Sequence, residues 1–321
     1  MENRERESFF LIITSAVSGR PLSAQERARY AQDMLPAMSA LARRHDLTHL
    51  LALGLKNNGL CGEQGKELDN EMFRAAFRCE QLEHELKKIC GTLEKARIPF
   101  IPLKGSVLRR YYPESWMRTS CDIDVFVREA DLDRAMEALS ENLSYRIGEI
   151  SDHDVQIYTP NGQHIELHRN LIEDHRINQA AEVLAAVWDT AIPHSGWTYW
   201  LEMPDELFYF YHIAHMAKHV DNGGCGIRPF LVIWVLTHRV PHDRDKREQL
   251  LADGGLSTFA KQAERLTGGG FGNPPHDEAT RRLERYILYG GVYGTVDNRM
   301  SVRQAKSGGK LRYAWSRIWL P

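Results

Sequence analysis

Between Pro102 and Val127 the chain reads PLKGSVLRRYYPESWMRTSCDIDVFV, and this stretch limits the folds open to it more than any other. It joins a Lys-Gly-Ser turn to a run in which aspartates alternate with apolar residues. The alternation predicts a strand with Asp122 and Asp124 on one face and Ile123 and Val125 turned into a core. Two carboxylates held side by side raise each other's proton affinity unless a cation lies between them. Magnesium suits that arrangement, because it takes hard oxygen ligands and shares its shell with substrate phosphates. Taken alone, an Asp-x-Asp is more often a polar strand edge facing water.

Lys104, Gly105 and Ser106 fall where the strand-like IPFIPL hands over to the helical VLRRYY. Backbone N–H groups at such a start, with glycine permitting close approach, make an anion site. The GxxxxGK pattern of a Walker loop is absent, and a bare strand-to-helix turn would explain these residues equally well. The chain between Gly105 and Asp122 is long enough for one helix and a return into an adjacent strand, and together the two elements favour phosphate chemistry on a nucleoside triphosphate. A third carboxylate, Glu166, lies in QHIELHRN with His164 and His168 on its own face and Ile165 and Leu167 opposite. If that segment pairs beside Asp122–Val127, it completes a three-carboxylate cluster able to hold two metal ions. Glu166 could also deprotonate an acceptor hydroxyl.

Around this stretch the chain reads as α+β. Residues 1–97 are expected to form an N-terminal helical region, with helices over 24–41, 49–56 and 70–95. Residues 98–195 are expected to hold a small mixed sheet with helices. Within them VQIYTP and QHIELH flank Pro160-Asn161-Gly162, a hairpin signal, and all the defensible sheet lies in 98–170. Residues 196–321 are expected to be mainly helical, with 204–220 and 227–240 the clearest helices and the glycine-rich 267–275 a loop. The basic tail 303–319 would suit an acidic partner, and the ending at Trp319-Leu320-Pro321 reads as a shortened one.

Composition narrows the function classes. The net charge of −2 over 321 residues argues against bulk nucleic-acid binding. The five cysteines are scattered and never in CxxC spacing, which fits a reducing cytosol and opposes a cysteine zinc site. The N-terminal apolar run is too short to span a bilayer and lacks a signal-peptide cleavage pattern. A cytoplasmic protein without membrane contact is expected.

The order LKGSxLxxxYxxxxxR, DIDVxV and then xhEhH resembles the nucleotidyltransferase superfamily of DNA polymerase β-like enzymes. More closely, it resembles a bacterial family known as uncharacterised nucleotidyltransferases. The resemblance implies that Gly105-Ser106 hold the triphosphate and that Asp122, Asp124 and Glu166 carry catalysis and two Mg²⁺ ions, with Mn²⁺ the alternative. Lys104, Tyr112 and Arg118 match positions that define the narrower family. Downstream, HMAKHVDNGGCGIRPFL is similar to the family's His-x-x-x-His and Gly-Ile-Arg segment, through His215, Lys218, His219, Gly226 and Arg228. The segment 292–299, VYGTVDNR, echoes a later Tyr-Gly element. Relatives often carry an aspartate shortly after the arginine where this chain has Val232, which puts the anchoring of Arg228 in question.

The implied reaction is transfer of a nucleotidyl group from an NTP to an acceptor hydroxyl or phosphate, with release of pyrophosphate. Lys104, Gly105, Ser106, Arg118, Lys218, His219 and Arg228 are the expected nucleotide- and phosphate-binding residues. The acceptor could be a small molecule, peptide, protein or RNA. The alternatives are a non-catalytic nucleotide- or partner-binding module, and a toxin–antitoxin-type nucleotidyltransferase acting on RNA or protein. His212, His215 and His219 share a helical face and raise a zinc reading, but H-E-x-x-H is absent. Trp188, Trp197, Tyr199 and Trp200 could stack a base, although such aromatics are more often ordinary packing.

Overall fold

A computed structural model describes residues 3–172, 178–268 and 277–292. The basic tail, nearly all of the Tyr-Gly echo and most of the glycine-rich 267–275 lie outside the described residues. The chain divides into a sheet unit, residues 76–214 and 242–255, and a helical unit, residues 1–75, 215–241 and 256–321. Among the described residues no helix is long and apolar enough to cross a membrane.

The sheet unit is α+β, built on five strands: β1 Phe100–Pro102, β2 Asp122–Val127, β3 Arg146–Ile150, β4 Asp154–Tyr158 and β5 His164–His168. Their order is β1-β2-β5-β4-β3. β1 runs antiparallel to β2, β2 parallel to β5, and β5, β4 and β3 form an antiparallel meander. The turn at residues 159–163 closes the β4–β5 hairpin, with Gly162 in the left-handed region at φ 80°. One face of the sheet is apolar: Ile123, Val125, Val127, Val155, Ile157, Ile165 and Leu167 are all fully buried. Leu82, Leu86, Ile89 and Leu93 of the helix Gly65–Lys95 join this core, as do Leu132, Ala135 and Leu139 of the helix Leu132–Leu143. The period-2 strands and the three-to-four helical stripe therefore meet in one core, leaving the other sheet face for polar residues.

Two expectations need correction. The helix over 24–41 is broken into a turn Ala24–Arg27, a 3₁₀ turn Gln32–Met34 and a helix Leu35–Arg44, where Pro36 sits in the first turn. Proline starts a helix readily and does not continue one, which explains the new beginning. Sheet structure also extends past residue 170: β6 Ile192–Pro193 pairs with β7 Leu201–Glu202. There Glu94 accepts hydrogen bonds from the N–H groups of Thr198, Tyr199 and Trp200 at 2.9, 2.8 and 3.2 Å. Phe100 donates its N–H to the Tyr199 carbonyl, and Trp197, Tyr199 and Trp200 pack on the sheet core. Trp188 stacks on Phe126 with ring centres 4.9 Å apart. These aromatics act in packing.

In the helical unit, Asn3–Ser18 buries Phe9, Phe10, Ile12 and Ile13, and Thr48–Asn57 buries Leu50, Leu51 and Leu55. Arg228–His238 buries Phe230 to Ile233, Val235 and Leu236. A helix apolar around most of its circumference is a core helix.

Candidate functional site

The parallel pairing of β2 with β5 sets Asp122 opposite His164 and Asp124 opposite Glu166. Because side chains alternate along both strands, the three carboxylates and the histidines His164 and His168 share the polar face. On the other side of β5, β4 places Gln156 opposite Glu166 and Asp154 opposite His168.

The Lys104 turn is fastened to this face. The Leu103 N–H donates to the Asp124 carbonyl at 2.9 Å. Lys104 itself has φ 45° and ψ −116°, a backbone state that costs a non-glycine residue roughly 1–3 kcal/mol. Its ammonium lies 2.7 Å from Asp124 Oδ1 and 3.9 Å from Glu166 Oε2. Gly105 lets the turn approach β2: a Cβ there would lie 2.9 Å from Ser120 Cβ. Only one helical turn, Gly105–Leu108, follows. The N–H groups of Ser106 and Val107 are engaged by the carbonyls of Leu103 and Lys104. The Ser106 hydroxyl, in contrast, is buried and has no hydrogen-bond partner among the described residues.

Asp124 sits between two donors, with His168 Nε2 2.8 Å from the same Oδ1 and 3.2 Å from Glu166 Oε2. Burial alone would raise the Asp124 pKa, but Lys104 and His168 outweigh it and hold the carboxyl well below the usual range. Burial likewise opposes the Lys104 charge, and Asp124, with Tyr211 and Glu166, keeps that pKa high. Burial disfavours the His168 imidazolium, while hydrogen bonds to Asp124 and Glu166 raise its pKa overall. Asp122 behaves oppositely to Asp124. Burial, then the Asp124 and Glu166 charges, push its pKa up, with Lys104 and Arg118 working against the rise.

Two groupings on this face have donor atoms within 4.8 Å of one another: Asp122 with His164 and Glu166, and Asp124 with Glu166 and His168. They share Glu166. Hard carboxylate oxygens, with His164 Nδ1 3.9 Å from Glu166 Oε1 and in no hydrogen bond among the described residues, fit a divalent cation here. His212, His215 and His219 are in neither grouping, which leaves the zinc reading without support among the described residues. His164 and His168 flank Glu166 in an alternation that already puts them on its face, yet sequence reasoning gave neither a role. Behind the turn, the buried Arg109 donates to the Ser120 hydroxyl and, at 3.4 Å, to the Arg118 carbonyl, a support no local motif signals.

Lys218, His219 and Arg228 belong to the helical unit. Arg228 Nη1 lies 2.5 Å from Asp46 Oδ2, and His219 Nε2 lies 3.2 Å from His215 Nε2. Val232 is fully buried, and Arg228 is anchored by Asp46.

A family model described as uncharacterised nucleotidyltransferase matches residues 35–269. The chain belongs to that family. The match spans the Lys104 turn, both aspartates, Glu166 and the Gly-Ile-Arg segment of this nucleotidyltransferase family member. No curated protein matches the sequence. A solution structure of the antibiotic-resistance factor ANT(2'')-Ia is similar at 13% identity and a TM-score of 0.37, covering 57% of this chain and 93% of that one. A likeness this distant bears on neither substrate nor mechanism.

Proposed function

We propose that the chain transfers a nucleotidyl group from an NTP to an acceptor hydroxyl or phosphate and releases pyrophosphate. The observation that carries this reading is the β2–β5 register, which gathers Asp122, Asp124 and Glu166 on one face beside the Lys104-Gly105-Ser106 turn. Asp122, Asp124 and Glu166 would hold two divalent ions, magnesium or manganese, which when bound neutralise the triphosphate and activate the acceptor oxygen. The Ser106 hydroxyl, buried without a partner among the described residues, would donate to a phosphate oxygen. Lys104 and Arg118 bring positive charge to the same face. Glu166 takes the acceptor proton as the new bond to the α-phosphorus forms and the bond to the pyrophosphate oxygen breaks. The resemblance also implies nucleotide contacts for Lys218, His219 and Arg228, which belong to the helical unit.

The test is label transfer. The protein is incubated with a divalent metal, a cell lysate and an NTP labelled at either the α- or the γ-phosphate. The reading expects label in a product from the α-labelled NTP alone. Label from the γ-position would identify phosphoryl transfer and overturn it. One observation favours a binding module instead: Asp124 Oδ1 is already engaged by both Lys104 and His168. That reading expects NTP binding with no transfer of the α-label.

A further inference from the structure

The two donor groupings around Glu166 differ in a way that assigns His164 a role. Asp124, in the inner one, has a 2% exposed side chain and is satisfied by Lys104 at 2.7 Å and His168 at 2.8 Å. An ion entering there must displace the Lys104 ammonium. In the outer grouping Asp122, His164 and Glu166 are all partly exposed. Asp122 makes no ion pair among the described residues, so its carboxylate is not held by a cationic side chain as Asp124 is.

His164 is held for this task from its far side. Its ring stacks on Tyr158, centres 5.2 Å apart at 30°, and the Arg146 guanidinium lies 4.7 Å from the Tyr158 ring centre. His164 Nδ1 lies 3.9 Å from Glu166 Oε1, too far for a hydrogen bond, and among the described residues neither ring nitrogen has a hydrogen-bond partner. An imidazole left unsatisfied among carboxylates lacks the partners that buried polar groups normally have. A cation bound by Asp122, Glu166 and Nδ1, the ring nitrogen that faces Glu166, would give that nitrogen one.

We propose that His164 is a metal ligand, and that Asp122, His164 and Glu166 form a resident site for a borderline divalent cation of the Mn²⁺ class, filled before nucleotide arrives. The inference rests on the carboxylate reading above and deepens it by separating the two ion positions. Magnesium prefers all-oxygen surroundings and keeps its waters, whereas imidazole suits first-row transition ions. The outer position is therefore selective, and the inner one, guarded by Lys104, opens only when the ammonium moves.

The full chain is titrated with Mn²⁺ without nucleotide, reading free Mn²⁺ by electron paramagnetic resonance and bound Mn²⁺ by nitrogen modulation of its echo. The expected result is one bound Mn²⁺ per chain, retained in about a hundredfold excess of Mg²⁺, with nitrogen modulation from a directly coordinated ring. His164→Asn should lose the modulation and weaken Mn²⁺ binding by about tenfold or more while leaving Mg²⁺ binding unchanged. His168→Asn should keep the modulation. Oxygen-only Mn²⁺ in the unaltered chain, or modulation that survives His164→Asn, overturns the role of His164 while the carboxylate reading stands. Absence of any Mn²⁺ binding, with or without NTP, overturns both.

Discussion

Two polar constellations in this chain are built from similar residues and end in opposite conditions. On the sheet unit, three carboxylates converge and two of them share a cation, while Asp122 is left with raised proton affinity. In the helical unit, the buried His45 accepts the Ile227 N–H on Nδ1 at 3.3 Å, and its Nε2 meets the Leu288 carbonyl at 3.2 Å. Both ring nitrogens are used, and the neighbouring Arg228 pairs with Asp46. The contrast separates structure from function. A polar cluster that closes on itself holds a fold together, and one that stays crowded and half-satisfied is where a ligand is proposed to bind.

Replacing Asp122 with Asn tests the crowded side and should have the largest effect. Metal-dependent NTP binding should fall on the order of a hundredfold, while the thermal midpoint stays level or rises as repulsion is relieved. A drop in both would place Asp122 among the structural residues. The closed side is tested by pH. Burial pushes the His45 pKa down to about 4, so the unfolded chain binds more protons between pH 6.5 and 4. Stability contributed by neutral His45 is complete above that window and is lost as pH falls through it, by about 3 kcal/mol. Urea unfolding at pH 7 and pH 4.5 should show this loss, and His45→Gln should flatten it.

A smaller effect is expected at Gly226, where a Cβ would lie 3.1 Å from His45 Nδ1 and 3.2 Å from the Val292 backbone. Gly226→Ala should cost about 1–3 kcal/mol in unfolding free energy without altering NTP binding at the carboxylate face. The smallest belongs to Arg228→Lys. Its partner Asp46 is partly exposed, so loss of the guanidinium geometry should cost about 1 kcal/mol or less.

Much of the carboxylate site is readable from alternation. Asp122 and Asp124 had to share a face once the segment became a strand, and the Asn-Gly turn placed Glu166 on a neighbouring hairpin arm. The parallel register of β2 with β5 was not readable, because it depends on a crossover through β3 and β4. β3 itself, RIGEI, is short, mostly exposed and interrupted by Gly148, so it carries little strand signal. The position of Lys104 was hidden for another reason: nothing in a lysine announces a positive φ. The Asp46 anchor for Arg228 joins residues far apart in sequence, and no local pattern signals it.

The central claim is that the polar face of β2 and β5 binds an NTP through metal held by its carboxylates. Calorimetric titration with each of the four NTPs and Mg²⁺ tests it directly, comparing the unaltered chain with an Asp122→Asn/Asp124→Asn variant. Binding of at least one NTP by the unaltered chain, lost in the variant, is the predicted result. Failure of the unaltered chain to bind any of the four, or binding undiminished in the variant, would contradict it.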